Sequence, residues 1–152
     1  MTMRRPIVLC VLATLTLAVV VPAVFPGPLQ EKAAAGAAKH PIDAWLEECT
    51  AKDESTVGQI ACLATAYEKW DAELNRVYQA LKEKLPESAR PALKAAQIAW
   101  LKYRDEEFNL MGALYDPLDG SMYRLMKAAD RVDFVRKRAL ELTSYLDVLN
   151  NI

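Results

Sequence analysis

The chain has 152 residues, 19 basic and 20 acidic side chains, and a formal net charge of −1. This length provides for one domain, and the slightly acidic balance excludes a protein that holds nucleic acid through a positive field. The sequence contains a single histidine, no Gly-x-Ser-x-Gly elbow and no phosphate loop. We therefore expect no enzymatic activity, no cofactor and no metal site.

The first 23 residues have the features of a secretory signal peptide. Arg4 and Arg5 form a basic start, and an uncharged apolar run follows over residues 7–21. Val21-Pro22-Ala23 offers a cleavage site, and Ala33-Ala34-Ala35 offers a second possible one. The alternative is an uncleaved inner-membrane anchor, because the apolar stretch over residues 7–25 is just long enough to span a bilayer. Only in that case do we expect the protein to contact a membrane.

Export and cleavage would make the protein more acidic. Removing Arg4 and Arg5 from the 19 basic residues leaves 17 against 20 acidic residues, a net charge of −3. Residues 24–40, rich in Ala, Gly and Pro, predict a flexible tail. Residues 41–152 are expected to form one helical domain in a periplasmic or secreted protein.

Two cysteines, Cys49 and Cys62, follow the leader. An even pair in an exported chain predicts a disulfide, and closing a loop of about 14 residues contributes roughly 3 kcal/mol in the chain-entropy model. The rival interpretation is a metal site. It lacks ligands, because His40 is the only histidine and the chain has no Cys-x-x-Cys motif.

The first part of the domain predicts two helices. A short helix over residues 42–51 is followed by a break at residues 52–54, and Thr56-Val57-Gly58-Gln59 matches a capping box. The second helix is expected to run to about Leu85, because apolar residues recur at steps of three and four. Those residues are Ile60, Leu63, Tyr67, Trp70, Leu74, Val77, Leu81 and Leu85.

Two further helices are predicted after Pro86. Ser88 is expected to cap the third helix, which tolerates Pro91 in its first turn and continues to about Ala113. A turn over Tyr115 to Gly120 precedes a last helix over residues 121–149. The stripe of that helix is Leu125, Ala128, Val132, Val135, Ala139, Leu142, Leu146 and Leu149. The fold class is thus all-α, an antiparallel three-helix bundle with a short disulfide-tethered N-terminal helix.

Folding the second and third helices about the break near Ser88 aligns a polar seam. Facing residues of an antiparallel hairpin have position numbers with a roughly constant sum, which pairs Asp71 with Arg104, Asn75 with Trp100, and Tyr78 with Gln97. We expect an ion pair in the first case and shared hydrogen bonds among Asn75, Tyr78 and Gln97. The favoured interpretation is that the seam fixes helix register, so that losing Arg104 destabilises the fold; the alternative is a ligand site.

The same segments resemble the LprI-type lysozyme inhibitor domain. The runs Trp70 to Tyr78 and Ala96 to Asp105 carry the patterns D-x-x-L-N-x-x-Y and A-Q-x-x-W-x-x-Y-R-D. Gly120-Ser121 and a final R-x-x-E-L at residues 138–142 follow, and Cys49 and Cys62 take the places of the family's first cysteine pair. Many members have a second cysteine pair. Here its first position is about Phe108, and the last helix contains no cysteine.

The resemblance implies an exported helical domain with a protein partner, and lysozyme is the partner for which the family is named. Such enzymes use two carboxylates in a cleft that a protruding loop can fill, and an acidic inhibitor associates faster with a basic enzyme. The candidate partner-binding residues are Asp105, Glu106, Tyr115, Asp116 and Asp119. Alternatively, these residues form an ordinary solvated surface, and the domain is a periplasmic binding or scaffold module without lysozyme activity.

Overall fold

A computed structural model of the protein describes residues 39–151, which form four α-helices and no strand. The helices are α1 (Pro41–Lys52), α2 (Thr56–Lys84), α3 (Arg90–Tyr115) and α4 (Ser121–Asn150). The predicted all-helical class is confirmed for this part of the chain. The predicted leader, its alternative as an anchor and nearly all of the predicted tail lie outside the described residues. Within residues 39–151, no helix combines the length and the apolar character that a bilayer crossing requires.

The first helix begins where the chain supplies a cap and a proline. His40 precedes it, and Nδ1 of that imidazole accepts a hydrogen bond from the backbone N–H of Ile42 at 3.3 Å. Pro41 fits the first turn because its missing N–H would have no helical partner there. α1 covers the predicted short helix, and its Cys49 forms the predicted disulfide with Cys62 of α2.

The start of α2 differs from the prediction by one residue. Ser55 rather than Thr56 is the N-cap, and its Oγ accepts a hydrogen bond from the backbone N–H of Gly58 at 3.0 Å. Asp53 accepts a hydrogen bond from the backbone N–H of Ser55 at 3.0 Å, so the turn is fixed one residue earlier than the capping-box pattern indicates. A side chain at position 58 would collide with the carboxylate of Asp53, which explains the glycine.

The break between α2 and α3 is one 3₁₀ turn, Glu87–Ala89. Leu85 closes α2 in an extended conformation, as expected for the residue before Pro86. The prediction that Ser88 caps α3 is wrong. Ser88 lies inside the 3₁₀ turn, and the N-cap of α3 is Ala89, which contributes no side-chain hydrogen bond.

The predicted stripes of α2 and α4 meet and form most of the core. The buried residues are Leu63, Ala66, Trp70, Leu74, Val77 and Leu81 of α2, with Val132, Val135, Ala139 and Leu142 of α4. The guanidinium of Arg136 lies over the ring of Trp70, and Lys84 donates a hydrogen bond to Asn150. The two helices therefore lie side by side and run in the same direction.

α3 runs in the opposite direction and packs chiefly on α4. Trp100 of α3 stacks on Phe134 with 5.8 Å between ring centroids, and Gln97, one turn earlier, contacts Arg138, one turn later. Only Leu93 of α3 belongs to the buried apolar cluster of the described residues. The fold thus consists of a closely packed α2–α4 pair, with α1 and α3 added to it.

Candidate functional site

The predicted polar seam does not close between α2 and α3. Asn75 donates its side-chain N–H to Asp71 on the same helix, at 3.1 Å from Oδ2. Arg104 forms its ion pair with the neighbouring Asp105, with 2.7 Å between Nη2 and Oδ1, and its guanidinium lies 5.7 Å from the ring centroid of Trp100. The ion pairs of residues 39–151 do not include one between Asp71 and Arg104. That prediction is wrong.

The rotation of α2 explains this difference. Trp70 and Leu74 are buried against α4, and Asp71 and Asn75 each follow one of them directly. One residue turns an α-helix by roughly 100°, so both polar side chains leave the interface. Asn75 is exposed, and Tyr78 is half-buried for the same reason.

The buried polar contact joins α3 to α4 instead. Gln97 is buried, and its Oε1 accepts hydrogen bonds from Nε and Nη2 of Arg138, each at 3.2 Å. The side chain of Arg138 is 10% exposed and also donates to Glu141 at 2.7 Å. Sequence reasoning noted Arg138 and Glu141 in the R-x-x-E-L pattern, but it did not identify either as the group that satisfies Gln97.

The loop between α3 and α4 is fixed to α4 by polar side chains. Tyr115, the last residue of α3, donates its hydroxyl hydrogen to Oδ2 of Asp130 at 2.6 Å, and this bond raises the pKa of the Tyr115 phenol. Asp116 forms an ion pair with Lys127. Gly120 has a φ of 120°, a backbone conformation that favours glycine, and α4 begins directly after it. The loop is therefore a braced connector rather than a free segment.

Large apolar side chains are exposed on both sides of this loop. They are Leu110 and Leu114 at the end of α3, Leu118 in the loop, and Met122 and Met126 at the start of α4. We call these five residues the loop-end patch. Leu110 is 60% exposed and Met122 is 62% exposed, so these side chains contribute little to the core. The sequence predicted the loop but not this patch, because exposure depends on how α3 is rotated against α4.

The predicted acidic candidates are exposed near the patch. Asp119 lies in the loop itself, and Asp105 and Glu106 lie on α3 one to two turns before Leu110. Asp105 is paired with Arg104, which reduces its availability to a partner. Among the described residues, no group of three or more histidine, cysteine or acidic side chains has an arrangement that could hold a metal ion.

A second group surrounds Trp70 where α1 meets α2. The His40 ring lies 4.3 Å from the Trp70 ring, and Glu73 lies 4.0 Å from Nε2 of His40. Glu73 also accepts two hydrogen bonds from Arg76, at 2.7 and 2.8 Å, which hold its pKa below the usual value of 4.5. The buried indole N–H of Trp70 has no hydrogen-bond partner within the described part of the chain. Sequence reasoning missed this group, since His40 was placed in the tail.

Known proteins resemble the same region. The family described as lysozyme inhibitor LprI matches residues 47–142. An uncharacterised protein of Rhizobium meliloti is 32% identical over 103 residues, which cover 59% of this chain and 73% of that protein. A crystal structure of an uncharacterised protein from Burkholderia thailandensis is 35% identical, with a TM-score of 0.70, and the match covers 74% of this chain and 56% of that chain.

Proposed function

Because this chain belongs to the LprI lysozyme inhibitor family, we propose that it is an exported protein that binds a protein partner through the loop-end patch, and that this partner is lysozyme. The family resemblance predicted from the sequence is confirmed. The family is described as an inhibitor, which supports binding rather than catalysis. Under this proposal residues 1–23 are removed on export, and the domain over residues 41–152 acts in the periplasm or outside the cell.

The loop-end patch is the observation that carries the proposal. A contiguous patch of exposed apolar side chains marks a binding surface on a soluble protein, and we propose that these five residues, which lie on either side of one turn, form such a patch. Leu118 and Met122 lie at the turn itself, where a protruding loop can enter a cleft. Asp119 stands between them in the sequence and is exposed, so it adds negative charge that favours association with a basic enzyme.

The predicted loop residues take different parts in this proposal. Tyr115 and Asp116 are bonded to Asp130 and Lys127, so we assign them to bracing the loop. Leu118 and Met122 replace Tyr115, a candidate partner-binding residue, as the side chains that we expect to anchor the partner. A braced loop loses less conformational freedom when it binds, which improves affinity.

The proposal also includes the finer architecture predicted from the sequence. We infer that α2, α3 and α4 form an antiparallel three-helix bundle and that the Cys49–Cys62 disulfide tethers α1 to it. The opposite directions of α3 and α4 and the short 3₁₀ connection after α2 support this arrangement. In such a bundle, the loop between α3 and α4 protrudes from one end.

A lysis assay tests the function. The oxidised protein is expected to slow lysis of a cell-wall substrate by a basic animal-type lysozyme. Replacing Leu118 and Met122 together by serine should weaken this inhibition at least about tenfold, because apolar anchors at a binding surface contribute about 1–2 kcal/mol or more. The matched control is the double serine variant of Ile98 and Val57, which are also large, apolar and exposed but lie outside the patch.

The outcomes separate the two candidate functions. Equal inhibition by the patch variant and the control variant would show that another surface binds lysozyme. Unchanged lysis in the presence of the wild-type protein would overturn the lysozyme assignment. In that case, the alternative of a scaffold module predicts that an envelope protein is captured by the wild-type protein but not by the patch variant.

A further inference from the structure

A cavity opens between α2, α3 and α4, and the proposed function does not use it. Its volume is about 410 Å³, within the range of small-molecule sites. The lining residues are Ile60, Leu63, Ala64, Tyr67, Glu68, Phe108, Ala128 and Arg131. Ala64, Glu68 and Arg131 of this lining are exposed, so the cavity is open to solvent and a ligand can enter it without any opening of the fold.

Aromatic rings fix one wall of the cavity. Phe108 lies 6.1 Å from Tyr67 and 5.9 Å from Phe134, measured between ring centroids. These three residues come from three different helices, so their rings hold the helices apart at this level. The opposite walls include Ala64 and Ala128, whose side chains are too small to fill the gap. The wall is thus formed before any ligand enters.

The charged side chains at the cavity indicate the charge of the ligand that it would bind. The guanidinium of Arg131 lies 4.4 Å from the ring centroid of Phe108, and Arg131 takes part in none of the ion pairs found within residues 39–151. A guanidinium beside an apolar wall binds a carboxylate through two parallel hydrogen bonds. Glu68 also lines the cavity, from α2, and repels an anion, so a bound carboxylate would lie on the Arg131 side of the cavity.

We propose that this cavity binds a small amphipathic monoanion, with its apolar body among Leu63, Tyr67 and Phe108 and its carboxylate on Arg131. The site is independent of the loop-end patch, since the cavity includes none of the five patch residues. A ligand here contacts α2, α3 and α4 at the same time. It therefore links three helices through one set of contacts.

Calorimetric titration of the oxidised protein with decanoate and with decanol tests the site. The two probes share an apolar chain and differ in the head group, and decanoate is ionised at about pH 7.5. Decanoate is expected to saturate one site and to bind about tenfold more tightly than decanol. Arg131→Gln should abolish that preference, whereas Arg124→Gln, which removes an exposed arginine outside the cavity, should preserve it.

A second variant tests the cavity itself. Ala64→Phe places a ring in the space from an exposed position on α2, so it should prevent binding of both probes while leaving the helical signal and the melting temperature unchanged. The proposal is overturned if wild-type protein binds neither probe saturably, if Arg131→Gln retains the preference, or if Ala64→Phe binds both as the wild type does. The Leu118→Ser, Met122→Ser variant is expected to bind decanoate normally, which separates this test from that of the proposed function.

Discussion

Two arginines from the motif segments have different surroundings in the fold. Arg104 is paired with the adjacent Asp105, and both belong to the same helix. Arg138 is 10% exposed, and its hydrogen bonds satisfy the buried Gln97 on another helix. A buried polar group that loses its partner costs about 1–3 kcal/mol, whereas an exposed ion pair contributes little. We therefore expect Arg138 to contribute more to the stability of the fold than Arg104, for which the predicted seam assigned that role.

Arg138→Ala should lower the free energy of unfolding by about 1–3 kcal/mol, and Arg104→Ala should lower it by less than about 1 kcal/mol. Urea denaturation of the two variants measures both values. In a double-mutant cycle, Gln97→Ala should offset part of the cost of Arg138→Ala, because the unsatisfied amide is then absent. Equal losses for both arginine variants would contradict this assignment.

The carboxyl group of Glu73 makes the stability of the folded state depend on pH. Arg76 donates two hydrogen bonds to its carboxylate, and these bonds lower the pKa of Glu73 below 4.5. A carboxyl group whose pKa is lowered in the folded state stabilises that state at pH values above its unfolded pKa. This contribution is lost as the pH falls below 4.5 towards the lower folded value.

Glu73→Gln should therefore reduce the dependence of melting temperature on pH between about 5 and about 3. The wild type loses stability over this window, and the variant, which has no carboxyl group to protonate at this position, should lose less. The matched control is Glu83→Gln, which removes an exposed carboxylate of the same helix that forms none of the ion pairs found in residues 39–151. Thermal melts of the three proteins followed by circular dichroism give the comparison, and parallel curves for all three would refute the role of Glu73.

At the scale of the helices, α1 depends on a few specific links. It contributes no fully buried residue. The Cys49–Cys62 disulfide joins it to α2, and Asp43 accepts hydrogen bonds from Arg136 of α4, the shortest at 2.8 Å. Partly buried side chains of α1, those of Ile42, Trp45 and Leu46, also pack against the core, and His40 lies against Trp70 just before the helix begins.

Replacing Cys49 and Cys62 by serine is expected to release α1 while α2 and α4 stay paired. Hydrogen exchange should accelerate in residues 41–52 and change little in the buried part of α2, because the cluster of fully buried residues includes none from α1. The free energy of global unfolding should fall by roughly 3 kcal/mol in the chain-entropy model. Uniform acceleration across all helices would mean that α1 is part of the cooperative core.

The helices themselves could be predicted because periodicity alone identifies them. The stripes from Leu63 to Leu81 and from Val132 to Leu142 are buried as expected. The exact N-cap of α2 could not be predicted, because Ser55 and Thr56 are both good N-cap residues. Only the hydrogen bond from the backbone N–H of Ser55 to Asp53 decides between them. A local pattern does not contain this information.

At the scale of the whole molecule, one contact between α2 and α3 agrees with the predicted register, although the predicted ion pair between Asp71 and Arg104 is not among the contacts of residues 39–151. The ring contact between Tyr67 and Phe108 has the same sum of position numbers as the predicted pairs. The predicted pairing across the seam is wrong because an apolar stripe shows which face of a helix is buried but not which neighbouring helix covers that face. Ala66 and Ala139, both fully buried, allow α2 and α4 to approach closely, so α4 covers that face.

The loop-end patch and the cavity could not be read from the sequence for a related reason. Leu110 and Met122 look like core residues by type, and only the packing of α3 on α4 leaves them exposed. The cavity likewise results from the spacing that the aromatic rings impose on three helices. Both features depend on the relative placement of helices rather than on any one segment.

The weak burial of α3 has a consequence for binding. Its buried side chains are Leu93 and Gln97, and at position 108, where the family resemblance leads one to expect a cysteine, it offers a ring contact instead of a covalent bond. Two of the five residues of the loop-end patch lie on this weakly buried helix, two lie on the firmly packed α4, and Leu118 lies in the loop between them. A partner that contacts both helices would restrain α3 against α4 from outside. The affinity for that partner should therefore be higher when α3 is already rigid in the free protein.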